Sequence, residues 1–275
     1  MPELPEVETI KNELSPWVVG QSFTQVDIAD AKLVSPASPE EVRRGLIGQR
    51  IESLERRGKY LISHLSNRRS LIMHLRMTGS LLLNPREVNR YTRAIFRLSN
   101  GQRLVFSDRR RLGVIWLVND AGTVVGKLGP EPLGKGFTAG ILRQRLSRHH
   151  IPIKAALLNQ AIVAGVGNMY ADEALFAAHI HPQRKADELS PEEARTLHNS
   201  IRKILRIAIG SKGASVDSYV RPQGELGTAH LNFKVAHRGG ERCPACRAII
   251  ERVVVQGRGT YFCPRCQRLR RRTPG

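Results

Sequence analysis

Cys243-Pro244-Ala245-Cys246 and, 16 residues later, Cys263-Pro264-Arg265-Cys266 hold all four cysteines of the chain. Each short pair offers two thiolates from one turn, and the spacer is long enough for a β-hairpin that brings the pairs together, the pattern of a structural Zn2+ site. Two disulfides would use the same cysteines, but the N-terminus lacks an apolar export signal, and a cytoplasmic chain disfavours disulfides. Four thiolates close the tetrahedron of one zinc ion and leave no open position for a catalytic water. Inside the spacer, Val253-Val254-Val255 and Thr260-Tyr261-Phe262 read as strands around Gln256-Gly257-Arg258-Gly259. Arg258 is therefore expected at or near a hairpin tip, where its fork suits a phosphate; a solvated turn arginine is the plainer alternative.

The charge balance points the same way. Lys and Arg total 44 against 24 Asp and Glu, a net charge of +20 over 275 residues. Residues 234–275 alone carry 11 basic and 2 acidic side chains. Such an excess implies a polyanionic partner. A membrane surface would call for a basic amphipathic helix with a bulky apolar face. Here the basic clusters Arg56-Arg57-Gly58-Lys59 and Arg109-Arg110-Arg111 lie beside turn and strand signals, which favours nucleic acid. No apolar run approaches a membrane span, and a cytoplasmic location, on the nucleoid through DNA, is expected.

Working back towards the N-terminus, residues 234–275 form the cysteine module. Residues 214–231 are rich in Gly and polar side chains and are expected to be a mobile loop. Residues 138–233 show helical faces: Ile141, Leu142 and Leu146, then Leu157 and Leu158, Leu175 and Phe176, and Ile201, Ile204 and Leu205. The stretch Leu128-Gly129-Pro130-Glu131-Pro132-Leu133-Gly134 opens a linker over 128–137. Residues 1–127 read as one helix followed by a β-rich domain, a sandwich. Strand-like stretches include 71–83 and 94–106, the second with an Asn100-Gly101 hairpin signal. Val7, Ile10 and Leu14 follow helical spacing, and Pro16 is expected to end that helix near Ser15.

Two places carry chemistry. At the start, Met1-Pro2-Glu3-Leu4-Pro5-Glu6 would expose a secondary amine on Pro2 once Met1 is removed. An α-amino group has a reference pKa of about 7.7–8.0 against about 10.4 for Lys, so it is the better nucleophile near neutral pH, and amines attack aldehyde-like carbons to give Schiff bases. Pro and acids also suit a helix start for structural reasons alone. In the middle, Gly165-Val166-Gly167-Asn168 lacks the third glycine and the βαβ setting of a dinucleotide fold. It reads better as a helix N-terminus presented by glycines, with Asn168 near the N-cap, a natural phosphate site.

Pro2-Glu3-Leu4-Pro5-Glu6-Val7-Glu8-Thr9, Gly58-Lys59-Tyr60-Leu61, His74-Leu75-Arg76-Met77-Thr78-Gly79-Ser80, Leu128-Gly129-Pro130-Glu131-Pro132-Leu133, Gly165-Val166-Gly167-Asn168-Met169-Tyr170 and the four cysteines, in this order, resemble the formamidopyrimidine-DNA glycosylases. These are the bifunctional 8-oxoguanine repair enzymes of bacteria. The resemblance implies an α+β multidomain fold: an N-terminal helix with a β-sandwich, a helix-two-turn-helix domain and a zinc-finger hairpin on Cys243, Cys246, Cys263 and Cys266. It implies a monomer acting on damaged double-stranded DNA, with no membrane partner. By resemblance, Pro2 is the nucleophile at C1′, Glu3 assists sugar-ring opening, Lys59 donates a proton in β-elimination, and Arg258 serves δ-elimination and clamps phosphate. His74 and Asn168 resemble phosphate contacts. Met77 resembles the side chain that fills the vacated stack, and Arg110 the reader of the widowed cytosine. Tyr91 and His149 fall at DNA-contacting positions but differ from the commonest residue types there.

One motif departs from the family. The usual Asp-Pro-Arg-Arg-Phe-Gly is Asp108-Arg109-Arg110-Arg111-Leu112-Gly113 here. Leu112 replaces an aromatic wedge; Leu can still wedge between base steps but stacks less well. Two other readings stand beside the purine-lesion enzyme: an endonuclease VIII-type glycosylase for oxidised pyrimidines, which Leu4 in place of a glycine disfavours, and a non-catalytic zinc-finger DNA-binding protein, which the intact Pro2, Glu3 and Lys59 disfavour.

Overall fold

The computed structural model describes residues 1–269; the run Arg270-Arg271-Arg272, part of the basic excess of the cysteine module, lies outside the described residues. The chain forms two compact units: Met1–Lys127 with Ala208–His230, and Leu128–Ile207 with Leu231–Gly275.

The first unit opens with α1 (Leu4–Val18) and continues with β1 (Phe23–Ile28), α2 (Pro39–Leu46), β2 (Ile51–Arg57), β3 (Tyr60–Leu65), β4 (Ser70–His74), β5 (Gly79–Leu83), β6 (Thr92–Leu98), β7 (Arg103–Asp108), β8 (Val114–Val118) and the short α3 (Gly122–Val125). The strands make two antiparallel sheets, in the orders β1-β6-β7-β5 and β2-β3-β4-β8. Both sheets and α1 contribute to one core: Val7, Ile10, Leu14 and Val18 from the helix meet Phe23, Phe96 and Phe106 from one sheet and Leu61, Leu71 and Ile115 from the other. This is the expected helix plus sandwich. The Asn100-Gly101 hairpin forms as expected: Gly101 takes φ +79°, and the Leu98 N–H donates to the Gln102 carbonyl at 2.9 Å.

Three local expectations are corrected. Helix α1 does not stop near Ser15 but carries Pro16 inside its last turn. Proline has a helical φ, and so close to the end it removes only one ladder bond. Burial of Val18 holds the turn, and the Val19 N–H closes it on the Ser15 carbonyl. The stretch 71–83 is two strands in opposite sheets: the chain crosses at 75–78, where Arg76 adopts φ +54° and the Gly79 N–H donates to the Leu75 carbonyl. Apolar residues on either side of 75–78 hide such a crossing, because both halves face the same core.

The third correction concerns 214–231. Its part within the first unit is irregular but pinned. Tyr219 is in the core, the Ala214 N–H donates to Glu6 Oε1 at 2.8 Å, and the Ser218 hydroxyl donates to the Met77 carbonyl. The Leu83 N–H donates to the Pro222 carbonyl, and Arg221 pairs with Glu13 on α1. Polar composition predicts a loop; it does not reveal that Ala214, Ser218, Arg221 and Pro222 have partners far off in sequence.

The second unit holds α4 (Ala139–Leu146), α5 (Ile153–Leu158), α6 (Asn168–Ala177), most of α7 (Pro191–Gly210), and the hairpin of β9 (Glu251–Val255) and β10 (Arg258–Phe262). Thr138 caps α4 through its hydroxyl. Of the residues whose spacing marks the helical faces, Leu142, Leu146, Leu157, Leu175, Phe176, Ile201 and Leu205 are buried, and Ile141, Leu158 and Ile204 are half-buried. A smaller core of Val235, Ile250, Cys243 and Cys263 meets α6 through Phe176.

Tyr219→Ala is expected to lower the stability of the first unit by about 3–5 kcal/mol, the cost of emptying a large aromatic site. The midpoint of urea unfolding checks this; Tyr219→Phe, which keeps the ring and loses the hydroxyl's bonds to the Lys212 carbonyl and Thr9, should cost about 1 kcal/mol.

Candidate functional site

Pro2 and Glu3 are buried at the head of α1. Glu3 is the N-cap residue, and its N–H donates to Glu6 Oε2 at 2.7 Å. The other Glu6 oxygen receives the Ala214 N–H, so one buried carboxylate fixes both the first residues of the chain and the returning 208–230 segment. With Met1 attached the Pro2 nitrogen is an amide; Met1 itself is exposed.

Lys59 sits in the turn between β2 and β3 and is buried. That turn is tied to α1: Arg56 Nε donates to Glu8 Oε2 at 2.6 Å, and Arg56 also donates to the Gly58 carbonyl. Burial pushes the Glu8 carboxyl up, but the hydrogen bonds from Lys11 and Arg56 outweigh it and leave it below its ordinary value. His74 stands opposite Tyr60 in the β3–β4 register, with its ring edge-on to the Tyr60 ring at 4.5 Å. Its Nδ1 accepts the Arg76 N–H at 3.0 Å, so the ring proton lies on Nε2 and that nitrogen is a donor. Burial, then the positive charges of Arg76 and Lys59, press the imidazole pKa down to about 3. His74 is thus a neutral, oriented N–H donor throughout the physiological range.

The run Arg109-Arg110-Arg111 divides. Arg111 makes a two-pronged ion pair with Asp30, at 2.6 and 2.8 Å. Arg109, Arg110 and Leu112 are exposed. The loop is drawn around the buried Asp108 carboxylate, which accepts the N–H groups of Arg110, Leu112 and Gly113. Met77, half-buried, lies in the 75–78 crossing. Tyr91 is half-buried; its carbonyl accepts the Asp108 N–H, and Arg90 both donates to its hydroxyl and lies 5.0 Å over its ring.

In the second unit, Gln256 and Gly257 both take positive φ and form a two-residue turn, so Arg258 is exposed as the first residue of β10. Asn168 is the first residue of α6. Its side-chain amide donates to the Gly259 carbonyl at 2.9 Å, which brings Asn168 and Arg258 together. Behind them, buried Lys154 on α5 pairs with buried Asp172 on α6 and donates to the Asn168 carbonyl at 2.9 Å. Asp172 also accepts the Tyr261 N–H of β10. Burial pushes the Asp172 carboxyl up to about 7, with Lys154 opposing. Glu173 accepts the N–H groups of Lys234, Val235 and Ala236, which ties the approach to the finger to α6. His149 lies half-buried in the turn after α4, on a separate element.

The four cysteine sulfurs lie within 4.8 Å of one another. A tetrahedron with Zn–S of about 2.3 Å has edges of about 3.8 Å; Cys243–Cys266 measures 3.9 Å and Cys246–Cys263 3.4 Å. These separations are too long for disulfides, and the donor set fits one structural Zn2+. Around the side chains that the sequence put forward stand others whose holding role it did not show: Glu6, Thr78, Asp108, Lys154, Asp172 and Glu173. A lone carboxylate in a sequence carries no signal of its distant backbone partners.

Three family models match the chain: the formamidopyrimidine-DNA glycosylase N-terminal domain over residues 1–115, its H2TH domain over 128–220, and the zinc finger found in FPG and IleRS over 240–269. The formamidopyrimidine-DNA glycosylase of Chloroflexus aurantiacus is 43% identical over 272 residues, covering 97% of this chain and 98% of that protein. That of Bacillus subtilis is 40% identical, covering 97% and 99%. Among solved structures, the Lactococcus lactis Fpg complex with abasic-site DNA gives a TM-score of 0.90 at 35% identity, over 97% of this chain and 100% of that one. The complex of the same organism's protein with Fapy-dG-containing DNA gives 0.89 at 34%, over the same shares.

Two measurements check this geometry. His74 binds its proton far more weakly folded than unfolded, so its contribution is complete above pH 6.5 and is lost as pH falls towards about 3. Wild type should lose about 1.4 kcal/mol per pH unit more than His74→Asn between pH 6 and 4, read by urea unfolding at stepped pH. Metal analysis should find one zinc per chain, and Cys263→Ser should lose it together with the finger's order.

Proposed function

The chain belongs to the formamidopyrimidine-DNA glycosylase family, and we propose that Pro2 is its nucleophile in a bifunctional base-excision repair reaction. The enzyme removes oxidised purines, 8-oxoguanine and formamidopyrimidines, from damaged DNA and then cuts the strand as an AP lyase. The observation that carries the assignment of Pro2 is the anchored chain start: a residue able to present an amine is buried and held by Glu6 rather than frayed.

Chemistry at C1′ needs the nucleotide out of the stack. The Pro2 nitrogen, free once Met1 is removed, attacks C1′. The C1′–N bond to the damaged base breaks, and the base leaves with the bonding electrons and takes up the proton that the Pro2 nitrogen sheds. The C1′–O4′ bond then opens, with Glu3 supplying the proton that O4′ needs, and leaves an iminium between C1′ and Pro2. The iminium acidifies C2′–H. Loss of that proton expels the 3′-phosphate with Lys59 as the proton shuttle, and a second elimination, served by Arg258, expels the 5′-phosphate. Hydrolysis of the imine frees Pro2.

Binding follows from the same side chains. Lys59, His74, Asn168 and Arg258 hold phosphates, His74 as a neutral donor and the basic residues as cations. Met77 and Leu112 fill the vacated stack, Arg110 faces the opposite base, and Tyr91 and His149 are further DNA contacts. Zn2+ on Cys243, Cys246, Cys263 and Cys266 supplies structure, not reaction chemistry: it holds the hairpin that presents Arg258. Among the described residues no helix is long and apolar enough to cross a membrane. The likeness to bacterial DNA-repair enzymes supports an enzyme acting as a monomer in the cytoplasm.

Borohydride should trap a covalent adduct between protein lacking Met1 and an 8-oxoguanine duplex. Protein retaining Met1 should lose it, and Pro2→Gly, which keeps an α-amine but not the proline ring, should form it more slowly. No adduct from trimmed, zinc-replete protein on any oxidised-base or abasic duplex would sink the assignment, and faster cleavage of thymine glycol than of 8-oxoguanine would move it to the endonuclease VIII-type reading. Arg258→Ala should weaken DNA binding for all sequences alike and reduce the slope of log K against log salt by about 1.

A further inference from the structure

We propose that Asp108 is a positioning residue that joins the turn carrying Met77 and the loop carrying Arg110 and Leu112 into one rigid reader of the base opposite the lesion. The inference rests on the roles proposed above for those three side chains.

Asp108 ends β7 and is 1% exposed. Its carboxylate faces hydroxyl and backbone donors, and its two oxygens divide the work. Oδ1 accepts the Thr78 hydroxyl and the Arg110 N–H. Oδ2 accepts the Leu112 and Gly113 N–H groups, each at 2.7 Å. A carboxylate offers about four acceptor sites, and all are taken. Thr78 directly follows Met77, and its hydroxyl oxygen also lies 3.2 Å from the Arg110 N–H. One side chain thus fixes the backbone of both probing segments, with Thr78 as the link.

The surroundings leave the loop little other freedom. A Cβ on Gly113 would come within 2.6 Å of the Phe106 ring, so the loop leaves Asp108 by a path that only glycine can follow. Arg111 adopts φ +56° and is turned to Asp30. That pairing leaves Arg110 as a separate exposed cation beside Leu112. Arg93 Nε donates to the Asp108 carbonyl at 2.9 Å, which secures the anchor itself. Position 109, where the family motif has a proline, is Arg here, so no ring restrains φ at the loop entrance. Reading a base edge needs a guanidinium placed to about 0.5 Å, and in this chain the carboxylate network supplies that order.

Asp108→Asn is the direct test. One carboxylate oxygen becomes an NH2 group, which would face the Leu112 and Gly113 donors or else the Thr78 hydroxyl. Excision of 8-oxoguanine is measured opposite cytosine and opposite adenine, and the readout is the ratio of the two rates, which loss of folded or active protein does not move. Arg110→Ala gives the ratio without a reader. Asp108→Asn should lower the cytosine-over-adenine ratio about tenfold, the weight of a good base-edge contact. Thr78→Val should lower it in the same direction and Thr78→Ser restore it, and this pair decides the matter if Asp108→Asn does not fold. Uniformly slower excision with an unchanged ratio in Asp108→Asn and Thr78→Val, while Arg110→Ala collapses it, overturns the positioning role and leaves the reading of Arg110 intact. A wild-type ratio near one, or an Arg110→Ala ratio equal to wild type, overturns the reading of Arg110 and the proposal with it.

Discussion

Burial of one helix face supports everything else in the first unit. Chain ends ordinarily fray, yet an N-terminal amine can serve as a nucleophile only if it stays where its electrophile will be. Val7, Ile10, Leu14 and Val18 of α1 are each about 1% exposed within the core shared by both sheets. Burying such a side chain stabilises by about 1.5–3 kcal/mol, enough in sum to hold the helix against fraying. The Arg56–Glu8 pair then brings the Lys59 turn against the same helix, and Glu6 adds the 208–230 segment. The helix is at once a core element and the mount for its own first residues.

A second regularity is how a chain of net charge +20 uses its acids. Glu6, Asp108 and Glu173 are buried and organise backbone N–H groups, while Asp30 and Asp172 pair with a single cation each. Buried carboxylates are tolerable only where hydrogen bonds or partners replace water. Glu6, Asp108, Asp30 and Asp172 fix the chain start, the 109–113 loop and the β9–β10 hairpin, each next to a proposed DNA contact, and Glu173 fixes the approach to the finger. The buried acids organise the scaffold, and arginines such as Arg109, Arg110 and Arg258 remain exposed for a polyanion.

Signals confined to a few neighbouring residues were legible before any coordinates. Cysteine spacing specified the zinc hairpin, Asn100-Gly101 its turn, and the 3.6-residue period of Val7, Ile10 and Leu14 the first helix. Pro16 misled because the rule it obeys concerns the local backbone, whereas the last turn of α1 is held by burial of Val18. The run 71–83 misled because alternation and apolar content do not say which of two facing sheets a strand joins. Residues 214–231 misled most: their composition is that of a solvated loop, and only the fold supplies Glu6, Glu13 and Met77 as partners.

The sequence by itself determined the chemical inventory: a proline and a glutamate at the chain start, a lysine in a glycine turn, an arginine on a hairpin, four thiolates at metal spacing, and an excess of cations. These depend on residue type and short spacing, which folding does not alter. Tertiary structure alone decided which cation is available and which is committed, as when Arg111 turns to Asp30 while Arg110 stays exposed. It decided that His74 is a neutral donor with its proton on Nε2, and that one carboxylate at Asp108 orders two segments 30 residues apart. The reason is physical: charge state, tautomer and loop geometry are set by burial and by partners distant in sequence, and neither exists until the chain has folded.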